Sequence, residues 1–167
     1  MYRFAPIDES MDRTAFNCEK EQLTAYFRLY ARQNHERRIA TCMVCLDAED
    51  RVVGYYTFAM AQIAKHSLPP EVVKGIPGYP LGAVRIGRLA RDVSVRGRGV
   101  GALLLRDCLT RIVGLAISAG MPMPAFRFIL VEAKTAQAVQ FYQGFGFVCF
   151  KDTPSVLVLP LATAIEA

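Results

Sequence analysis

Arg96-Gly97-Arg98-Gly99-Val100-Gly101 sets three glycines at alternate positions beside two arginines. A β-like run, Arg85-Ile86-Gly87-Arg88-Leu89-Ala90, precedes it, and a long amphipathic run, Val100 to Ala119, comes after it. Without a Cβ, glycine reaches turns closed to other residues and lets a ligand approach the backbone. The first amides of a helix have no partner within it, and the helix dipole favours negative charge there. A strand, a glycine turn and a helix start therefore predict an anion cradle suited to phosphate. The predicted contacts are the backbone amides of Arg96, Gly97, Arg98, Gly99, Val100, Gly101 and Ala102, with the two arginine side chains adding charge. Arg106, farther along the helix, faces either a further phosphate or solvent.

Three phosphate-binding patterns can be laid over this stretch. A P-loop needs Lys-Ser or Lys-Thr after its last glycine, but Ala102-Leu103 comes after Gly101. A dinucleotide fingerprint fits Gly97, Gly99 and Ala102, yet it needs an acid about 20 residues on. The next acid at a strand end is Glu132, and too little chain remains beyond it to complete that sheet. The third pattern is Arg-x-x-Gly-x-Gly, met by Arg96, Gly99 and Gly101.

Outward from the glycines, periodicity predicts a helix over Phe16 to Arg38, with Leu23, Phe27, Tyr30 and Ala31 on one face. Strands over Ile39 to Leu46 and Arg51 to Met60 flank the turn Asp47-Ala48-Glu49-Asp50. His66 to Gly82, rich in proline and glycine, reads as a long loop with a short helix after Pro70. Ala83 to Ala90 returns to strand. Beyond the helix, which Gly120 would stop, Phe126 to Val131 is a strand and Thr135 to Phe145 a helix ended by Gly146. Phe147 to Phe150 and Ser155 to Leu161 complete the strands. This order predicts an α+β fold, a mixed central sheet flanked by helices in a sandwich-like arrangement, as a single domain over residues 1–167.

The 167 residues suffice for one substantial core. Lys and Arg number 20 against 15 Asp and Glu, and the net charge of +5 favours anionic partners. The first residues, Met1 to Glu9, lack an apolar signal-peptide core, and no apolar run reaches the ~18 residues of a membrane span. A cytoplasmic protein with no membrane partner is expected. Cys42-Met43-Val44-Cys45 lies inside a predicted strand, where residues three apart face opposite ways. With His35 and His66 isolated and no second cysteine pair, the expectation is a structural role and no metal. There is no recognisable Ser-His-Asp constellation and no Gly-x-Ser-x-Gly elbow, and no cysteine stands beside a base. Direct transfer is therefore favoured over a covalent enzyme intermediate.

The placed Arg-x-x-Gly-x-Gly loop resembles that of the GNAT acyltransferases. Phe141-Tyr142-Gln143-Gly144-Phe145-Gly146-Phe147, downstream of a strand and a helix, resembles the family's closing signature. Phe16-Asn17-Cys18, Gly54-Tyr55-Tyr56-Thr57, Gly87-Arg88-Leu89-Ala90 and Val156-Leu157-Val158-Leu159-Pro160 extend the likeness to nearly the whole chain, and to the TacT-type toxins in particular. Asn17 stands where the family motif has an acid, Thr135 where many members carry an asparagine that reaches the cofactor, and Arg91 at a usually apolar position.

The resemblance implies a GNAT fold and an N-acetyltransferase using acetyl-CoA, with aminoacyl-tRNA as acceptor of the acetyl group on its α-amine. It implies pyrophosphate binding by the glycine loop, pantetheine binding by the backbone of Leu89, Ala90 and Arg91, a cofactor contact at Thr135, and Tyr142 as proton donor to the departing thiolate. A phenol, with an ordinary pKa of about 10, stays protonated at neutral pH and can donate. Phe141 and Phe145 are expected to pack. Arg32, Arg37, Arg38, Arg85, Arg88 and Arg91 become candidates for tRNA phosphate. A ribbon-helix-helix antitoxin is the implied partner, and a homodimer is compatible with the family. Two alternatives stay open: acetylation of a protein N-terminus, lysine or small amine, and a non-catalytic module that binds CoA or a partner.

Overall fold

The computed structural model describes residues 1–118 and 121–167. Its strands are β1 (Arg3–Pro6), β2 (Thr41–Leu46), β3 (Val52–Ile63), β4 (Leu81–Arg91), β5 (Phe128–Glu132), β6 (Val148–Cys149) and β7 (Val156–Pro160). The α-helices are α1 (Glu21–Leu29), α2 (Ala31–Glu36), α3 (Val100–Ile117), α4 (Ala136–Gln143) and α5 (Leu161–Glu166). The seven strands form one sheet in the order β1-β2-β3-β4-β5-β7-β6. It is mixed, since β4 and β5 run parallel while β5 and β7 run antiparallel. The α+β fold expected from the sequence is the one found. The chain divides into two compact units, Met1–Ala59 with Gly87–Thr110 and Met60–Ile86 with Arg111–Ala167. Among the described residues, no helix is long and apolar enough to cross a membrane.

In the first unit β2 and β3 form the predicted hairpin. The Asp47 carboxylate accepts the N–H groups of Glu49 (3.0 Å) and Arg51 (2.9 Å), so one side chain organises the turn. Tyr55 of β3 carries the core here: its ring stacks on Phe27 at 4.5 Å between centroids and meets Phe16 edge-on at 5.6 Å. The predicted helix over 16–38 is two helices. Phe16 is buried but precedes α1, because Asn17 Oδ1 accepts the Glu19 N–H (2.9 Å) and Glu19 takes a φ of +68°. Tyr30, at φ −122° and ψ −25°, then separates α1 from α2. Strand β1, unmarked in the sequence, pairs Phe4 with Cys45 at the edge of the sheet.

In the second unit β5 lies between β4 and β7, with Ile129 opposite Val84 on one side and Leu159 on the other. Ile63, Leu68, Ile76, Phe128, Phe150 and Val158 pack into one core cluster. The proline-rich loop holds two short 3-10 turns, Lys65–Ser67 and Pro70–Val72, and Lys65 Nζ ties it together by donating to the Ile76 carbonyl (2.7 Å). Helix α4 is shorter than predicted because Thr135 is its cap and not its first residue. Helix α5 occupies the end of the chain, beyond the last strand expected from the sequence. Gly120, the expected stop for α3, lies outside the described residues.

Candidate active site

Strand β4 ends at Arg91, and Asp92 sets the course of the chain beyond it. This residue is 8% exposed, and its carboxylate accepts the N–H groups of Asn17 (2.8 Å) and Ser94 (2.9 Å). Its own N–H donates to the Val53 carbonyl (2.8 Å), and the Val93 N–H donates to the Asn17 carbonyl (2.8 Å). The segment before α1 is thus bonded to the end of β4. Asn17 serves here through its backbone and through one amide oxygen, which accepts the Glu19 N–H.

A 3-10 turn over Val93–Val95 leads into the glycines. The Arg96 and Arg98 N–H groups close onto the carbonyls of Val93 (3.2 Å) and Val95 (3.2 Å). Gly97 (φ +77°) and Gly99 (φ +74°) turn the chain through the left-handed region that L side chains avoid. The Leu103 N–H donates to the Gly99 carbonyl (3.1 Å), so the N–H groups from Gly99 to Ala102 stand at the head of α3, ahead of its ladder. Gly101 needs no special backbone, and a Cβ there would meet no protein atom within 4 Å. Arg96 is ion-paired with Glu19. Arg98 lines a cleft of about 820 Å³ together with Asp12, Asp47 and Asp92.

The parallel ladder of β4 with β5 ends at the pair Ile86 and Val131, while β4 continues as strand through Leu89 and Ala90 to Arg91. Leu89 and Arg91 are half-buried and Ala90 is buried. On the other side β3 comes close: a Cβ on Gly54 would lie 3.2 Å from the Ala90 carbonyl. The Arg88 guanidinium lies over the Tyr26 ring, 3.5 Å from its centroid, a cation–π contact.

Tyr142, 8% exposed, sits near the end of α4 with its ring edge-on to Phe141 (5.2 Å) and Phe147 (5.6 Å). Its carbonyl accepts the N–H groups of Phe145 (2.9 Å) and Phe147 (3.3 Å), which close the turn after the helix. Thr135 Oγ1 accepts the Ala138 N–H (3.1 Å) and so caps α4. That cap accounts for Thr135 structurally and leaves its hydroxyl proton available to donate.

The arginines expected to meet nucleic acid have differing surroundings. Arg32 pairs with Glu36 (2.7 Å) within α2, and Arg85 pairs with Glu132 (3.1 Å). Arg37 and Arg38 are exposed at the end of α2. Cys42 and Cys45 are fully buried free thiols of β2, and burial pushes their pKa values up to about 12 and about 11. Sequence reasoning misses Asp92, whose only sign is an acid two residues beyond the predicted strand's end at Ala90. It also misses the hydrogen bond from the Tyr56 hydroxyl to Asp107 (2.6 Å), which no local pattern announces.

A mixed sheet flanked by helices, whose central strand delivers a glycine turn to the head of a helix, defines an acyltransferase of the GNAT class. No family model matches the chain. It is 35% identical over 159 residues to a tRNA-acetylating toxin of Mycobacterium tuberculosis, covering 95% of this chain and 91% of that one. It is 30% identical over 163 residues to a probable toxin TacT of Sinorhizobium fredii, covering 95% and 90%. The solved structure of AtaT complexed with acetyl-methionyl-tRNAfMet superposes with a TM-score of 0.86 at 25% identity, over 99% of this chain and 98% of that one. The chain belongs to the TacT-type tRNA-acetylating toxins, which are GNAT N-acetyltransferases.

Proposed function

We propose that this protein transfers the acetyl group of acetyl-CoA to the α-amine of aminoacyl-tRNA, and so removes charged tRNA from translation. The observation that carries this is its 35% identity, over 95% of its length, to a protein named for acetylating tRNA. The CoA diphosphate is assigned to the free amides from Gly99 to Ala102, with Gly97 shaping the turn and Arg96 and Arg98 adding charge. The open space above Gly101 supports that assignment, because nothing inside the protein requires glycine there. The pantetheine amides are assigned to the backbone of Leu89, Ala90 and Arg91, where β4 runs on past its ladder with β5 and so offers strand-type pairing. Thr135 contributes its hydroxyl proton.

In the assigned chemistry the neutral α-amine attacks the thioester carbonyl, and a β4 amide stabilises the oxyanion. Tyr142 protonates the CoA thiolate as it leaves. The α-amine of an aminoacyl ester is less basic than a lysine amine, so water suffices to take its proton. Arg32, Arg37, Arg38, Arg85, Arg88 and Arg91 supply phosphate contacts, which agrees with the net charge of +5. The catalytic unit is one domain spanning the chain, working in the cytoplasm under control of a ribbon-helix-helix antitoxin.

Labelled acetyl transfer to total aminoacyl-tRNA tests this, with deacylated tRNA, peptides and polyamines as rival acceptors and Tyr142→Phe in parallel. The expected result is label on charged tRNA alone, with kcat lowered about 100-fold in the variant. Label on peptides or amines instead overturns the acceptor. An unchanged kcat removes Tyr142 from its role.

A further inference from the structure

The glycine loop sets two arginines beside an anion cradle, and within the protein both of them meet carboxylates. Arg98 lines its cleft together with Asp12, Asp47 and Asp92. Arg96 is ion-paired with Glu19. That pair is set up by backbone bonds that do not depend on it. The Asn17 N–H donates to the Asp92 carboxylate (2.8 Å), and the Asn17 carbonyl accepts the Val93 N–H (2.8 Å). The segment before α1 is therefore fixed against the segment that leads into the loop. Asn17 Oδ1 accepts the Glu19 N–H (2.9 Å) and turns the chain, which brings the Glu19 carboxylate to the Arg96 guanidinium.

Glu19 occupies this turn at φ +68°, in the left-handed region where a Cβ crowds the backbone. Glycine would take the position without strain. Little inside the protein offsets that strain. The Glu19 side chain is 46% exposed and that of Arg96 60%, and an ion pair between long, half-exposed side chains adds little to stability. A glutamate in a position suited to glycine, with its charge on an arginine of the anion loop, has its use in what arrives at that loop.

We propose that Glu19 is an internal competitor for the diphosphate of acetyl-CoA, neutralising Arg96 while the loop is empty and yielding it when the donor binds. The proposal rests on the assignment of the diphosphate to this loop above. A guanidinium fork accepts a carboxylate or a phosphate in the same geometry, so one can stand in for the other. The diphosphate displaces Glu19 because it carries more charge and engages the amides from Gly99 to Ala102 at the same time. After transfer, CoA still carries that diphosphate. Glu19, kept beside the loop by the bonds of Asn17, takes Arg96 back as CoA departs. The residue thus lowers the affinity for donor and product alike and favours release of spent CoA.

The test is titration calorimetry of acetyl-CoA and of CoA against wild type, Glu19→Gln, Glu19→Gly, Arg96→Gln and the double variant, each also unfolded in urea. Glu19→Gln should bind both ligands about 3-fold tighter, the gain expected when an exposed ion pair no longer has to be broken. Glu19→Gly should show the same gain with a urea midpoint equal or higher, because the left-handed strain is gone. In the Arg96→Gln background, adding Glu19→Gln should bring no gain, since no guanidinium is left to compete for. Affinity in Glu19→Gln equal to or below that of wild type overturns the competition. So does an equal gain in the Arg96→Gln background, which would mark general charge repulsion. Failure of the diphosphate assignment reads differently: Arg96→Gln would then cost nothing even when added to Glu19→Gln, where about 10-fold weaker binding is expected.

Discussion

Gly101 shows how a residue can be explained from outside the protein. Gly97 and Gly99 are required by their backbone angles, and substituting them strains the turn. Gly101 sits in the first turn of α3 with no positive φ and empty space where a Cβ would go. Glycine in a helix costs about 0.5–1 kcal/mol relative to alanine, so the protein alone would be better off with the methyl group. Gly101→Ala should therefore raise unfolding stability by up to ~1 kcal/mol in urea titration. With the diphosphate on these amides as proposed, titration calorimetry should show acetyl-CoA affinity falling at least 10-fold, because the methyl group would stand in its place. Stability gained with affinity unchanged would place the diphosphate elsewhere.

At the scale of elements, the junction between β4 and α3 is held by Asp92 more than by the glycines. Its carboxylate takes two N–H groups from different segments, Asn17 before α1 and Ser94 in the 3-10 turn. Asp92→Ala leaves both donors without a partner in a buried setting and should cost about 2–6 kcal/mol in urea unfolding, at ~1–3 kcal/mol per unsatisfied group. Thr135→Ala removes the cap of α4 and should cost about 1 kcal/mol of stability. Elements with strong local signals are legible in the sequence: the β2–β3 hairpin with its aspartate turn, the long helix after the glycines, and the core strand β5. Elements set by distant partners are not. Strand β1 is short, ends in proline and exists because Cys45 and its neighbours offer an edge. Periodicity joins 16–38 into one helix because it does not register the Asx turn at Asn17 or the break at Tyr30. The glycine loop is legible because its demand is local, whereas the bond from the Tyr56 hydroxyl to Asp107 joins β3 to α3 and leaves no trace in any one window.

For the molecule as a whole, a +5 charge and a sheet core containing thiols have consequences that can be measured without a substrate. The charge predicts that tRNA binding weakens steeply as salt rises, since each displaced phosphate counterion adds to the slope. The buried thiols govern alkaline stability. Burial raises Cys42 from 9.0 to about 12 and Cys45 from 9.0 to about 11. Below pH 9 both thiols are protonated in the folded and the unfolded chain, and neither affects the balance. Above pH 9 the unfolded chain releases protons that the folded chain keeps, so stability must fall as pH rises. Each thiol contributes a slope approaching ~1.4 kcal/mol per pH unit, ending near pH 11 for Cys45 and near pH 12 for Cys42. Urea unfolding at intervals from pH 8 to pH 10.5 should show this decline, and Cys42→Ala, though less stable at pH 8, should show a shallower one. An equal slope in that variant would mean that the Cys42 thiol ionises as freely in the folded protein as in the unfolded chain.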